Sequence, residues 1–415
     1  HCDAVLTTEN AELTVRNLTI SHRGKRCVVV RGRRSTLLLD TVTLTDCGSS
    51  KIDGGALFAE GATVLINNSR VARNTGANGA GVYLDGASLT MENSIVTENI
   101  SQIGSGIYGT ASELNLRSTR FMANKTKSGG IGAALALRAG SHATIDSSIF
   151  QNNHALGDGG AIYVDNSSLR RGKLVLTNSE LSSNSASFGS ASGGAVYVRG
   201  AVDVQWQGGR VEENLAAGKG GGIFLADLGA TAVFSDVDLS RNRARSGEGG
   251  AIVTMASTAA VAFSTELMNS ELRENRAGSY GGAISVGNTI NRHGSLSITN
   301  TKLIKNRADS SRSGAGGAVY VATSDSDQIV INAAQLEDNQ AELTGGAMYV
   351  LGGRSLSIAG TVFIHNRALG PSTTMPRAGG AIVADSLSNV TIADSHFCHN
   401  QVTSSGSGRI SGVGG

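Results

Sequence analysis

Twelve times between residues 54 and 400 the chain repeats one phrase: a glycine-rich tetrad ending in an apolar residue, answered 20 to 26 residues later by an asparagine. The tetrads begin at Gly54, Gly79, Gly104, Gly132, Gly159, Gly193, Gly220, Gly249, Gly281, Gly316, Gly345 and Gly379. The answering residues are Asn74, Asn99, Asn124, Asn153, Asn184, Asn214, Asn242, Asn275, Asn306, Asn339, Asn366 and Asn400. A plan that persists while tolerating insertions at set places is a repeat array, in which each unit buries its apolar face only against its neighbours.

Aligning the units gives three apolar columns. Three places after the first Gly the column runs from Leu57, Val82 and Ile107 to Met348 and Ile382. Eight places before the Asn it runs from Ile66 and Met91 to Ile358 and Ile392, and three places before it from Val71 and Val96 to Phe363 and Phe397. Each column is flanked by period-2 alternation and bounded by Gly, Ser, Asn and Asp, so the units are made of short strands rather than helices. The spacing predicts an all-β single-stranded parallel β-helix, three short strands per coil, with about 13–14 coils stacked roughly 4.8 Å apart.

Composition agrees. Fifty-six glycines against two prolines suit a chain that turns constantly without breaking its ladders. Both prolines, Pro371 and Pro376, lie in the longest gap between an Asn and the next tetrad. Gly and Asn are expected to supply the positive φ that tight corners need, and the Asn column to stack amide on amide. Small residues after the Asn, as at Ala155 and Ala244, suit such a corner. A net charge near +2 with interspersed signs argues against nucleic acid or an anionic membrane as the main partner. No apolar run approaches the roughly 18 residues that span a bilayer, so this segment is expected not to cross a membrane.

Three regions are expected along the chain. Residues 1–53 read as degenerate capping coils, with Leu37, Leu39 and Leu44 in strand slots and Cys47 in the Asn slot. Residues 54–400 form the repeats. Residues 401–415 are a Gly/Ser-rich end that reads as the start of another corner, so the protein is expected to continue. Cys27 stands where a first tetrad Gly belongs and Cys2 lies 25 residues earlier, which predicts a Cys2–Cys27 disulfide between adjacent coils, with Cys27–Cys47 as the rival. Cys398 has no obvious partner.

Candidate functional residues fall in outward columns. One place past the tetrad aliphatic stand Phe58, Tyr83, Tyr108, Tyr163, Tyr197, Phe224, Tyr320 and Tyr349, which alternation turns away from the core. An exposed aromatic row is a contact surface for glycan or protein, and ring-on-ring support of the sheet is the plainer reading. Just before the Asn, Glu213, Arg241, Glu274, Lys305, Asp338 and His365 alternate in sign, which favours in-register stacking. Six places after the first Gly, Glu60 and Asp85 are neighbouring carboxylates, a pair too sparse for acid/base catalysis. His365 and His399 share a slot near His396 and Cys398, where solvated imidazoles outweigh a zinc site, so no metal and no cofactor are expected. Asn17, Asn67, Asn166 and Asn389 are the better glycosylation acceptors, since the sequon residues Asn99 and Asn124 belong to the stacked column.

FMAN at 121–124, FQNN at 150–153, FIHN at 363–366 and FCHN at 397–400, alternating with GGAI-type tetrads, resemble the repeats of chlamydial polymorphic membrane proteins. Val or Leu replaces the Phe in the other eight units. The resemblance implies a right-handed β-helix passenger exposed on a cell surface and working in adhesion. The expectation is therefore a non-enzymatic extracellular protein, an adhesin or the scaffold of a surface fibre, whose partners are other surface proteins, glycans or copies of itself. The rival is a carbohydrate-active β-helix enzyme.

Overall fold

The computed structural model describes residues 4–166, 171–229, 231–256, 263–287, 294–324, 327–370 and 378–403. They are built of β-strands and turns without an α-helix. The chain divides into two compact units, His1–Ala191 with Ala195–Val204, and Ser192–Gly194 with Gln205–Gly415.

In the first unit each tetrad opens a strand, and these strands pair in parallel from Ala4–Glu9 and Arg26–Arg31 through Leu57–Glu60, Val82–Asp85, Ile107–Thr110 and Leu135–Arg138 to Ile162–Asn166 and Val196–Gly200. In this tetrad sheet Leu57, Val82, Ile107, Leu135, Ile162 and Val196 lie in one register row, fully or almost fully buried. In the second unit the equivalent sheet runs from Ile223–Ala226 through Ile252–Met255, Ile284–Gly287, Val319–Ala322 and Met348–Leu351 to Ile382–Asp385. The other two apolar columns stack likewise, Ile66 on Met91, Leu116, Ile145 and Leu176, and Val71 on Val96, Phe121, Phe150 and Leu181. The expected parallel β-helix is what forms.

Its sheets divide differently from the three strand columns expected. Within each unit the columns eight and three places before the Asn share one sheet, bent between them, and in Gly172–Ser182 the two strands run together without a break. The third sheet is the corner after the Asn, where two-residue strands such as His154–Ala155 and Ser185–Ala186 pair through their backbones, with the Ala side chains buried beneath them. Before Ile100 this corner is held only by isolated bridges, Arg23 to Gly48, Gly48 to Thr75 and Thr75 to Ile100. Among the described residues fourteen coils carry a tetrad strand, in line with the 13–14 expected, and about eleven of these turns carry all three sheets.

Turn geometry also departs from the expectation. Every tetrad's first Gly except Gly379 takes positive φ as expected; at Gly159, φ +66°, a Cβ would meet the Ile162 carbonyl oxygen at 2.4 Å. The stacked Asn does not. The residue before it does, whatever its type: Arg73, Glu98, Ala123, Asn152 and Ser183 in the first unit, and Glu213, Arg241, Glu274, Lys305, Asp338, His365 and His399 in the second. A second left-handed column bends the long sheet at Asn68, Asn93, Ser118, Ser147 and Asn178. This freed the Asn for another task. Asn99 Nδ2 and backbone N–H both donate to Asn124 Oδ1, at 3.0 and 3.1 Å, and Asn124 repeats this on Asn153 and Asn153 on Asn184. Beside the bend, hydroxyls form a second ladder that the columns did not announce: Ser69 N–H donates to Ser94 Oγ and Thr119 N–H to Ser148 Oγ.

The disulfide joins Cys27 to Cys47, Cα atoms 5.7 Å apart, so the predicted Cys2–Cys27 pairing is corrected. Ala4 pairs with Arg26 and Leu6 with Val28, which places Cys27 opposite Val5, and Val28 pairs with Leu57, which aligns Cys27 with the third tetrad position rather than the first. Cys2 lies outside the described residues. Cys47 N–H donates to Asn74 Oδ1, so the bond closes the coil at the place where the amide ladder begins. Replacing both cysteines with serine is expected to cost about 3 kcal/mol, the entropy of releasing a 20-residue loop; chemical denaturation with and without reductant checks it.

Candidate functional site

The outward face of the tetrad sheet in the first unit carries the most chemistry. Inward residues Leu57 and Ala59, Val82 and Leu84, and Ile162 and Val164 anchor each strand, so the residue between each pair is turned out. Phe58, Tyr83 and Tyr108 stack at 5.2 and 5.1 Å and are half-buried, with the Arg26 and Arg31 guanidiniums 4.8 and 5.4 Å from the Phe58 ring. Ala136 interrupts the row before Tyr163 and Tyr197 stack at 5.1 Å.

The aromatic column is thus outward but not uniformly exposed. Tyr163, Tyr197, Phe224, Tyr320 and Tyr349 are buried, which corrects the expectation of a continuous bare stripe. In the second unit the cause is local: Tyr280, the residue before a tetrad, stacks on Tyr320 at 4.4 Å, and Tyr320 and Tyr349 pack with Ala315, Ala322 and Val383. Within this column only the Phe58, Tyr83 and Tyr108 stretch keeps ring surface open.

Two places beyond the aromatics runs a charged column. Glu60 and Asp85 are in register and exposed, but Arg31 takes Glu60 at 3.4 Å, so they do not act as an isolated carboxylate pair. Further on, Arg138, Asp165 and Arg199 occupy successive layers. Asp165 accepts from Tyr163 Oη at 3.1 Å and lies 3.5 Å from Arg199, while its Oδ1 and Arg138 Nε are buried without a hydrogen-bond partner. The strand register sets the Asp165 carboxylate in the layer between Arg138 and Arg199, paired with the Arg199 guanidinium and the Tyr163 phenol.

Burial makes the phenols harder to ionise, and nearby carboxylates add to it: Asp53 for Tyr83, Asp165 for Tyr163 and Asp158 for Tyr197. Tyr83 and Tyr197 are pushed up to about 12, and Tyr108 also rises through burial. The folded chain therefore holds these protons more tightly than the unfolded chain. Their contribution to stability is whole below the ordinary value of about 10 and is lost as pH climbs through the folded values near 12. Ultraviolet titration of tyrosinate with parallel melting curves should show delayed ionisation and falling stability across that window, and Tyr83→Phe and Tyr197→Phe should each remove part of the effect.

The remaining candidates are dispersed. Arg241 pairs with Glu213 at 3.1 Å and His365 with Asp338 at 3.9 Å, as alternating signs predicted. The His365 and His399 rings lie 5.1 Å apart and Cys398 Sγ is 2.7 Å from His399 Nδ1; among the described residues no group of three His, Cys, Asp or Glu could hold a metal ion. Of the sequons, Asn17 and Asn389 are exposed and Asn67 half-buried. Asn166 is corrected as an acceptor: it is buried, and its Nδ2 donates to the Ala201 carbonyl at 2.8 Å. Among the described residues no helix is long and apolar enough to cross a membrane.

Parallel coils with inward aliphatic columns and an amide ladder define the class, a right-handed parallel β-helix. Residues 3–169 and 42–202 match the family model described as a right handed beta helix region. No curated protein and no solved structure matches the chain.

Proposed function

We propose that this β-helix is a non-enzymatic protein of the cell exterior that works by contact, through the open aromatic stretch of its first unit. The observation that carries the reading is the half-buried Phe58, Tyr83 and Tyr108 ladder, set beside Asp53, Glu60 and Asp85 on a rigid sheet. Flat rings flanked by hydrogen-bond acceptors suit the apolar face and hydroxyl rim of a sugar, or an aromatic-rich protein patch, and a rigid platform loses little entropy on binding. The Cys27–Cys47 bond fits an oxidising compartment. Similarity of the FxxN repeats to chlamydial surface adhesins points the same way.

The test is a glycan array and a surface-protein binding screen with the wild-type chain and the Tyr83→Ala/Tyr108→Ala variant. Binding should fall at least tenfold while the melting temperature moves little, because both rings are outward; unchanged binding would remove the reading. A building block of a surface fibre is the same class of protein, and self-association in sedimentation would favour it. The second reading, a carbohydrate-active enzyme, draws on Arg138, Asp165 and Arg199, where a carboxylate oxygen and a guanidinium nitrogen lie buried without partners. Turnover of an acidic polysaccharide, lost in Asp165→Asn, would establish it.

A further inference from the structure

Residues 13–39 hold seven lysines and arginines and no acidic residue, a local excess that the near-neutral whole chain conceals. Three of these cations are occupied: Arg16 lies 3.8 Å from Asp40, Arg31 pairs with Glu60, and Arg26 Nε donates to the Asp53 carbonyl. Arg33 and Arg34 are exposed, and among the described residues neither side chain has an ion-pair or hydrogen-bond partner. They form the tip of the turn at 32–35, which the Ser35 N–H closes on the Gly32 carbonyl at 2.9 Å. That turn is one wall of a cleft. Four residues separate Arg26–Arg31 from Thr36–Asp40, but only two separate the matching strands of the next three coils, at 61–62, 86–87 and 111–112. In the coil after, three residues separate Leu135–Arg138 from His142–Asp146. The corner is therefore sunk across three coils between longer turns, which leaves a cleft of about 430 Å³. A Cβ on Gly61 would lie 3.7 Å from Arg33 Cγ, so the arginine stem borders the floor, and a Cβ on Gly86 would meet nothing within 4 Å.

The floor amides are already engaged in the coil-to-coil ladder: Gly61 N–H donates to the Asp85 carbonyl and Gly86 N–H to that of Thr110. A ligand must therefore be held by side chains, and these run along one rim. Thr63, Ser88, Glu113 and His142 stand in register, one strand spacing apart, and all four line the cleft. We propose that the cleft takes an extended peptide of a partner protein, with a carboxylate at the end that meets Arg33 and Arg34. From the Arg33 turn to Gly140 is four coil spacings, about 19 Å, the span of about five extended residues. The rim offers donors and acceptors along its length, as a peptide backbone does, and the guanidinium forks match a carboxylate. Free cations stand only at one end. Glu113, midway along the rim, repels a chain that is anionic throughout, which disfavours acidic polysaccharide and nucleic acid. At the far end Arg171 is held by Asp203 at 3.0 Å. Among the described residues no Phe, Tyr or Trp lines the cleft, so neither a sugar face nor a base finds such a ring to stack on. The cleft lies on the corner past the ends of the tetrad strands and does not depend on the aromatic stretch.

The test is fluorescence polarisation of the full chain with labelled hexapeptide pools, randomised at four positions and carrying two aspartates at the carboxyl end, at the amino end, or nowhere. Each pool is made with a free and with an amidated C-terminus. An aspartate pool or the free-carboxylate pool should bind about tenfold more tightly than the amidated pool without aspartate, and which one does so separates a side-chain from a C-terminal carboxylate. Arg33→Gln/Arg34→Gln should weaken that binding about tenfold, and Arg33→Lys/Arg34→Lys only about threefold, since lysine keeps the charge and loses the fork. Ala111 is an exposed corner residue already held at φ 48°, so Ala111→Trp should stand a ring in the cleft and abolish binding with little change in melting temperature. Equal binding of all pools, undiminished binding by the glutamine or tryptophan variant, or tighter Arg33-dependent binding of polygalacturonate or duplex DNA would overturn the proposal.

Discussion

Asn124→Ala is expected to lower stability by about 4 kcal/mol, more than any surface charge in this molecule could account for. Asn124 is fully buried and makes its contacts in both directions along the stack. Its Oδ1 accepts from Asn99 N–H and Asn99 Nδ2, and its Nδ2 donates to the Val96 carbonyl and to Asn153 Oδ1. Alanine strands two buried donors on Asn99 and removes a donor from Val96, and an unsatisfied buried polar group costs about 1–3 kcal/mol. Because coils touch only their neighbours, the damage should be local. Hydrogen exchange should show the Asn99 amide losing protection while amides several layers away keep theirs. Uniform loss of protection, or a variant as stable as wild type, would mean that the amide ladder follows the fold rather than holding it.

Phe150→Ala should cost a comparable amount, about 3–5 kcal/mol. Phe150 is fully buried, stacks on Phe121 at 4.6 Å with rings 4° apart, and stands in register with Leu181 on its other side. Backbone ladders fix the layers above and below at strand spacing, so the walls of the cavity cannot close. Phe150→Leu should cost only about 1 kcal/mol, since Leu181 shows that the slot accepts that shape. Equilibrium denaturation of both variants measures the ratio, and equal costs would show that the column is looser than its register implies.

Both predictions use residues that alignment of the repeats had already singled out. Leu57, Ile66 and Val71 and their successors were readable as inward columns because in-or-out direction follows from alternation within one strand. The Asn column was readable because identical polar residues recurring at one coil position must lie on top of one another. What alignment could not show was the partner of each column. It gave no sign that the strands before Asn153 share one sheet, nor that Asn152 rather than Asn153 takes the left-handed turn. Strand sharing and turn conformation are set by the bend of the backbone, which many residue types tolerate, so they leave little mark on composition.

The amino-acid sequence alone determined that this chain stacks in parallel coils around an aliphatic interior, because a repeat that cannot bury its own apolar side has no other stable arrangement. Tertiary structure decided the rest. It paired Cys27 with Cys47 inside one coil, buried Asn166, and covered Tyr320 with Tyr280 while leaving Tyr83 half open. Each of these turns on which residue from a different coil or inserted segment reaches a given spot. That is a matter of three-dimensional register and loop path, to which the identity of the residue itself contributes little.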